Sequence, residues 1–302
     1  MKLTYTTAAL AAAMLAAPAL GQVTVIENNF VNGNPLEGAG PLESPFFTTS
    51  SGSGLASDNG TPGVLDFASG TSGRSIHTLF APVTLANVGD NITASFSFTT
   101  PASIGTDENN GFRVGLFNSL GRALNEDISS SSGTPNPLLD GLPGFSADFD
   151  VNDQNDDGEA DDRLQIRQSD PTNTVGRLLT TTGGFNTVEE VNTPGADNGF
   201  VANTDFSGTL SITLIDATTV EISSELANAS ITTTATPDSL AFDFLGFAVS
   251  GGAFGSVNDA GVADNGIDFT NVSVTFTPVP EPASMAMLAG GAMMLAGRRR
   301  KG

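Results

Sequence analysis

The chain of 302 residues has no cysteine and no tryptophan, and its single tyrosine is Tyr5. Without cysteine it can form neither disulfide bonds nor thiolate metal sites, so its stability has to come from core burial, with or without bound metal. Beyond residue 5 it also lacks the amphipathic aromatic side chains on which sugar rings stack. The aromatic residues that remain are 20 phenylalanines, which suit a hydrophobic core.

Basic side chains are scarce as well. Residues 22–277 contain six arginines, no lysine and 32 acidic residues, which gives this stretch a formal net charge of −26. A surface of this sign repels nucleic acid and anionic lipid, and it attracts cations, calcium among them. We therefore expect no nucleic-acid partner.

The N-terminus has the pattern of an export signal. Lys2 precedes an apolar run over residues 8–17, and small residues at 19 and 21 come just before Gln22. The apolar run is well short of the roughly 20 residues that a membrane-spanning helix needs. The sequence predicts a signal peptide over residues 1–21, removed by signal peptidase, and export of the remainder.

The C-terminus carries three elements in order. A Pro-rich motif comes first, followed by an apolar run over residues 285–297 and then by a basic cluster. The apolar run is short for a membrane span and contains three glycines, while the basic cluster would hold its end in the cytoplasm. The motif is Val279, Pro280, Glu281 and Pro282, and the cluster is Arg298, Arg299, Arg300 and Lys301.

This arrangement resembles the PEP-CTERM sorting signal of bacterial exported proteins. In that family an exosortase, which is a membrane peptidase, removes the tail and commits the protein to the cell surface or to an extracellular polysaccharide matrix. The resemblance implies that residues 278–302 form a sorting segment with a short hydrophobic helix that anchors the chain transiently. The alternative is a single-helix anchor that is never cut. Both interpretations place the body outside the inner membrane.

Between these ends, apolar and polar residues alternate with a period of two, as in "ITASFSF" (92–98), "TLSITLI" (209–215) and "VSVTF" (272–276). Such alternation is typical of strands with one buried face. No stretch has a clear helical period. We therefore expect a single antiparallel two-sheet sandwich over residues 22–277, with long surface loops at 51–63 and 129–144. Further strands are predicted at 23–29, 112–117, 146–151, 163–168, 220–223 and 240–249.

The order of these segments is similar to the concanavalin A-like jelly roll of many bacterial surface proteins. The segments that carry the similarity include "GFRVGLFNS" (111–119), "FDFLGFAVSG" (242–251) and the closing "IDFTNVSVTF" (267–276). The resemblance implies an all-β jelly-roll sandwich in which the first strand lies near the last. The expected fold is this sandwich, flanked by the N-terminal signal helix and the short C-terminal hydrophobic helix.

One internal segment has the pattern of a metal site, the acidic stretch "DFDVNDQNDDGEADD" (148–162). Counted from Asp153, oxygen donors fall at positions one, three and five, glycine at six, a carbonyl at seven and another acid at nine, which is the spacing of a tight calcium loop. The segment resembles the DxNxDG loops of dockerins. Position twelve is Leu164 instead of an acid, so Asp150 or Asp162 would have to substitute. The predicted ligands are Asp153, Asn155, Asp157, Glu159 and Asp161.

A calcium ion there would stiffen a hairpin that its own charge destabilises. The alternative is a solvated acidic turn between two strands. We predict calcium binding because the eight acids in this segment would repel one another strongly without a cation.

For function, the favoured hypothesis is a calcium-stabilised, non-catalytic protein of the cell surface or matrix, in contact with extracellular polysaccharide. The alternative is a lectin-like carbohydrate-binding module. Glycan hydrolysis is the least favoured, because His77 has neither a cysteine partner nor an HExxH context and no G-x-S-x-G elbow occurs. Glu221 and Glu225 also do not reproduce the ExDxxE spacing of jelly-roll glucanases.

Overall fold

The computed structural model describes residues 21–30, 42–49, 63–68, 73–104, 111–130, 135–151, 162–179, 183–192, 200–251, 253–254 and 266–280. The signal helix predicted over residues 1–21 and the C-terminal hydrophobic helix fall almost entirely outside these ranges. Within them, no helix is long and apolar enough to cross a membrane. The regular structure of the described residues consists of strands and a single 3-10 turn at Pro137–Leu139, so the all-β prediction is confirmed.

In chain order the strands are β1 (Val23–Asn28), β2 (Phe47–Thr48), β3 (Leu65–Ala68), β4 (Arg74–Thr84), β5 (Asn91–Thr99), β6 (Gly111–Phe117), β7 (Gly144–Asp150), β8 (Asp162–Ser169), β9 (Phe185–Asn192), β10 (Asp205–Leu214), β11 (Val220–Leu226), β12 (Ala229–Ala235), β13 (Ala241–Val249) and β14 (Gly266–Thr277). Each of the nine segments predicted as strands overlaps one of them. The strands that the prediction missed are β2, β3, β4, β9 and β12.

The strands form two sheets. The first runs β1-β14-β5-β10-β11-β12, with β3 also beside β14, and the second runs β2-β4-β13-β6-β7-β8-β9. Neighbouring strands in the described ranges pair antiparallel throughout. Because β1 pairs with β14, the first strand lies beside the last, as the jelly-roll resemblance implied. The predicted two-sheet antiparallel sandwich is therefore confirmed.

Phenylalanine side chains fill the space between the sheets. Phe96 of the first sheet lies 5.5 Å from Phe247 of the second, measured between ring centroids, and Phe247 lies 4.7 Å from Phe269. Phe98 and Phe112 meet across the same space at 5.2 Å. All five side chains are buried, so they supply the core that a chain without disulfides requires.

A second, smaller core covers the outer face of the second sheet. Its buried members come from the sheet itself and from two loops, which are the 118–143 loop, described over residues 118–130 and 135–143, and the loop 170–179. Leu178 packs over Gly246 so closely that a Cβ at Gly246 would lie 2.8 Å from its Cδ2. The surface loop predicted at 129–144 is therefore only partly a surface feature, because Leu139 and Leu142 are buried in this core. The members are Phe117, Leu124, Ile128, Leu139, Leu142, Leu178, Leu179, Phe244 and Ala248.

The second core also explains why β4 was missed. Its central residues, from Ser75 to Thr78, are buried whichever face they point to, so apolar and polar residues do not alternate along it. A period-two pattern is expected where one face of a strand meets solvent. β6 is also buried at all seven positions, but Phe112, Val114 and Leu116 still place an apolar residue at every second position.

His77 is the polar centre of this second core. The side chain is completely buried, stacks on Phe244 at 5.0 Å between centroids, and places Nε2 2.7 Å from the carbonyl oxygen of Leu124. Because a carbonyl only accepts, Nε2 carries the proton and donates. Burial lowers the pKa of His77 from 6.5 to about 4, against the opposing effects of the Leu124 carbonyl and of Asp127. The neutral ring therefore holds the 118–143 loop on the sheet.

We expect His77 to make the fold sensitive to mild acid. The unfolded chain binds a proton at His77 near pH 6.5 and the folded chain only near pH 4, so stability is lost as the pH falls through this window. The loss approaches about 3 kcal/mol at pH 4. In urea unfolding from pH 7 to pH 5, the wild type should lose about 2 kcal/mol more than His77→Gln, which keeps a donor but does not titrate.

Carboxylates elsewhere titrate in both proteins, so the difference between the two pH profiles isolates residue 77. Parallel profiles would contradict the assignment of a buried neutral ring.

Candidate functional sites: tail stem and acidic hairpin

The body holds the first residues of the predicted sorting segment. We call residues 278–280, which follow β14 directly, the tail stem. The backbone N–H of Val279 donates to Oδ1 of Asp90 at 2.7 Å. Val279 thus lies against the folded domain. The other predicted sorting residues, Glu281, Pro282, Arg298, Arg299 and Arg300, lie outside the described residues.

Asp90 joins the tail stem to the turn between β4 and β5. Its Oδ2 accepts the backbone N–H groups of Ala86 and Asn87, both at 2.8 Å, while Oδ1 accepts Val279. The residue is 1% exposed. One buried carboxylate therefore satisfies three backbone donors, and charge-assisted bonds of this kind are stronger than neutral ones. We call this arrangement the Asp90 clamp.

Neighbouring backbone holds the clamp in place. The N–H of Gly89 donates to the carbonyl of Leu214 at 2.7 Å, and the N–H of Leu214 donates to the carbonyl of Asp90 at 3.0 Å. Gly89 has φ +96°, and a Cβ there would lie 2.7 Å from Cγ2 of Val279, so this position requires glycine. Sequence reasoning missed Asp90. The only local signal is the turn-forming "NVGDN" (87–91), which contains nothing that points to residue 279.

The acidic hairpin has the strands that the sequence predicted. β7 and β8 pair antiparallel, with Phe149 opposite Leu164, so residues 151–161 connect two adjacent strands. Five of the predicted calcium ligands, Asp153, Asn155, Asp157, Glu159 and Asp161, lie outside the described residues. The described part of the chain contains no group of three or more potential metal ligands.

The base of the hairpin lies within the described residues. Asp150 ends β7 and Asp162 begins β8, which places both candidate substitutes for position twelve at the root of the loop. Leu164, which occupies position twelve, is completely buried in the main core and cannot turn towards a metal ion. Any further carboxylate ligand would therefore have to come from the strand ends.

An ion cluster lies on the outer face beside this hairpin. Nε of Arg113 lies 2.7 Å from Oδ2 of Asp148, and Nη1 of Arg167 lies 3.5 Å from the same oxygen. The three side chains are 7%, 9% and 16% exposed for Arg113, Arg167 and Asp148 respectively. Burial lowers the pKa of Arg167, and the neighbouring Asp148 opposes that effect. Asp148 is thus committed to two guanidinium groups and ties β6, β7 and β8 together.

The outer face of the second sheet is also closed by the protein itself. Leu178 and Leu179 pack over Gly246 and Gly115, and Nη1 of Arg122 donates to the carbonyl of Leu138 at 3.0 Å to hold the covering loop together. His77, the one histidine, lies beneath this cover. The described face therefore offers no exposed histidine, and one of its carboxylates, Asp148, is already ion-paired.

Comparison with known proteins supports the interpretation of the C-terminus. Residues 278–301 match the family model of the PEP-CTERM protein-sorting motif. The resemblance drawn from Val279, Pro280, Glu281 and Pro282 is thus confirmed, and the chain carries this motif. A search of curated proteins found no match.

Solved structures similar to the chain include lectins and a glycan hydrolase. Basic winged bean lectin with Tn-antigen has 13% identity over 86% of this chain and 100% of its own, with a TM-score of 0.43. The metal-free carbohydrate recognition domain of Emp46p has 11% identity, coverages of 80% and 93%, and a TM-score of 0.47. An endo-1,3-beta-glucanase from Streptomyces sioyaensis has 13% identity, coverages of 87% and 99%, and a TM-score of 0.45.

These structures include lectins with the concanavalin A-like jelly-roll fold. With TM-scores below 0.5 and both binding proteins and an enzyme among them, they do not decide what this chain binds. Function has to be argued from the residues of the chain itself.

The Asp90 clamp predicts a large loss of stability for Asp90→Ala. The substitution leaves three backbone N–H groups without their acceptor, and we expect it to lower the free energy of unfolding by about 3 kcal/mol. Urea unfolding of the chain without residues 1–21 measures this change. Hydrogen exchange should become faster at the backbone N–H of Val279.

The matched control is Glu225→Ala, which removes the same charge from an exposed position on β11. Its free energy of unfolding should stay within about 0.5 kcal/mol of the wild type. Equal effects of the two substitutions would show that Asp90 acts only through its charge.

Proposed function

We propose that the chain is an exported, non-catalytic protein that is sorted to the cell surface or an extracellular matrix through its C-terminal tail. The observation that carries this proposal is the PEP-CTERM motif over residues 278–301, which joins the folded body directly at the Asp90 clamp. Signal peptidase would remove residues 1–21, and an exosortase would act on the tail. The body over residues 22–277 would remain as the mature sandwich domain.

A non-catalytic role is supported by the outer face of the second sheet. Loops 118–143 and 170–179 fill its centre with leucine side chains, and the carboxylate of Asp148 on the same face is held by Arg113 and Arg167. Hydrolysis of a glycoside needs two carboxylates placed on either side of the scissile bond. Asp148, which is held by two guanidinium groups, is not free to serve as one of them.

Calcium is proposed as a structural ion in the acidic hairpin. The support is the spacing of Asp153, Asn155 and Asp157, together with the placement of Asp150 and Asp162 at the ends of two paired strands. Carboxylate and carbonyl oxygens are the ligands that calcium prefers. The ion would neutralise part of the repulsion within the hairpin. No step of sorting is assigned to it.

The sorting proposal is tested by deleting residues 281–302 in the producing bacterium. The body keeps its signal peptide and the residues that contact Asp90, so it should be exported and folded but released into the medium. Immunoblots of cell and medium fractions measure the shift, which we expect to be nearly complete. A tail-deleted protein that stayed on the cells as well as the wild type would contradict the proposal.

The calcium proposal predicts a higher melting temperature in calcium. At a concentration one hundred times the dissociation constant, binding to the folded state alone adds about 2.7 kcal/mol. For a domain of this size the melting temperature should rise by roughly 5 to 10 °C. Calorimetry of residues 22–280 with calcium and with EDTA measures it, and equal ionic strength of sodium chloride controls for screening.

The matched variants each remove two negative charges. Asp153→Asn with Asp157→Asn should abolish the calcium-dependent rise, whereas Glu221→Gln with Glu225→Gln, on an exposed part of β11, should keep it. If the second pair of substitutions removed the rise as well, the effect would belong to net charge and not to the hairpin.

Carbohydrate binding is the second candidate, favoured by the outer face of the first sheet. One row of residues crosses six strands in register, and every member bears a hydroxyl group. Hydroxyl groups both donate and accept hydrogen bonds, as the groups of a neutral polysaccharide do. Retention on neutral polysaccharide columns without product release would favour this role. The row is Thr24, Thr275, Thr93, Ser211, Ser223 and Thr232.

A further inference from the structure

Exposed apolar side chains gather at the end of the sandwich where the tail stem leaves. Val88 is 58% exposed in the turn before β5, Ile215 is 40% exposed just after β10, and Val23 is 52% exposed at the start of β1. They are three of the six large apolar residues that are exposed in the described part of the chain. We call Val23, Val88 and Ile215 the apolar end.

Strand pairing places these residues at one end. Asn91, the first residue of β5, lies opposite both Thr277 and Thr213, so the turns that carry Val88 and Ile215 adjoin the start of the tail stem. Val23 is paired with Phe276, three residues before Val279. The stem therefore leaves the body among three exposed apolar side chains.

The tail allows little separation between this end and a membrane. Val279 is held by the Asp90 clamp, and the apolar run of the tail begins at Met285. Six residues of fully extended chain span at most about 20 Å. While the tail is inserted, the apolar end must lie within that distance of the bilayer. Releasing residue 279 would break its hydrogen bond to the buried Oδ1 of Asp90, so lengthening the connecting segment in this way costs free energy.

The charges near the apolar end are compatible with a position next to a bilayer. The two turns over residues 86–89 and 215–219 contain a single ionisable side chain, Asp216. Hydrogen bonds, chiefly from the backbone N–H of Thr218, lower the pKa of Asp216, so this carboxyl group is ionised. Anionic lipid would be disfavoured by this charge and by the acidic body, whereas a zwitterionic surface carries no net charge to repel it.

We propose that the apolar end docks on the surface of a phospholipid bilayer for as long as the tail is attached. This inference rests on the proposed function, because the inserted tail holds the three side chains at a high effective concentration next to the bilayer. Without the tail, three side chains would not be enough for docking. Docking would orient the body above the membrane and hold the segment after Val279 close to the lipid surface, where a membrane peptidase acts.

The absence of native cysteine allows a site-specific test. Val88→Cys and Ile215→Cys, each labelled with an environment-sensitive fluorophore, are compared in the chain without residues 1–21 but with its tail, bound to phosphatidylcholine vesicles. The matched control is Val201→Cys, which is 57% exposed and lies at the opposite end, next to the contact between Asn203 and Pro101. Quenching by a lipid-borne quencher should be at least twofold greater at positions 88 and 215 than at 201.

Vesicle flotation distinguishes docking of the apolar end from insertion of the tail. If the chain floats with the vesicles but the three positions are quenched equally, docking of the apolar end is wrong and the sorting function stands. If the chain does not float, the inserted tail is wrong and docking falls with it. A version ending at residue 280 should neither float nor show quenching; quenching in that version would mean that the apolar end binds lipid without the tail.

Discussion

Contacts between phenylalanine rings hold the two sheets of this protein together. Phe96, Phe98 and Phe269 of the first sheet meet Phe112 and Phe247 of the second at centroid distances from 4.7 to 6.4 Å. With no disulfide available, this core has to offset both chain entropy and the repulsion of a strongly acidic surface. Everything else, including the exit of the tail and the root of the acidic hairpin, is positioned by the sheets that it joins.

The second core covers the outer face of the second sheet, so the centre of that face has a structural role. In a two-sheet sandwich both outer faces are available for binding, but here loops close the centre of one of them with leucines around a neutral histidine. The features that remain for function lie at the ends and on the opposite face. These are the tail stem at the Asp90 clamp, the hairpin after β7, and the hydroxyl row that crosses the first sheet.

Several parts of this picture could be predicted from local sequence. The strands around Ile92 and Ile212 were predictable because one side of each meets solvent, and the hairpin strands because turn-forming residues separate them. β4 was not predicted, because apolar and polar residues do not alternate around His77, where the strand is buried on both faces. Asp90 could not be identified either, because its partner Val279 is 189 residues away and no periodic pattern connects them.

The sequence alone determined the sorting address and the all-β class, because a short motif followed by an apolar run and a basic cluster is read as linear chain, and a period of two is a local property. It also determined the candidate calcium spacing from Asp153 to Asp161. Only the tertiary structure decided that a buried carboxylate binds the tail stem, that Arg113 and Arg167 share Asp148, and that exposed apolar side chains lie near the exit of the tail. Those contacts join residues far apart in the chain, and folding alone brings them together.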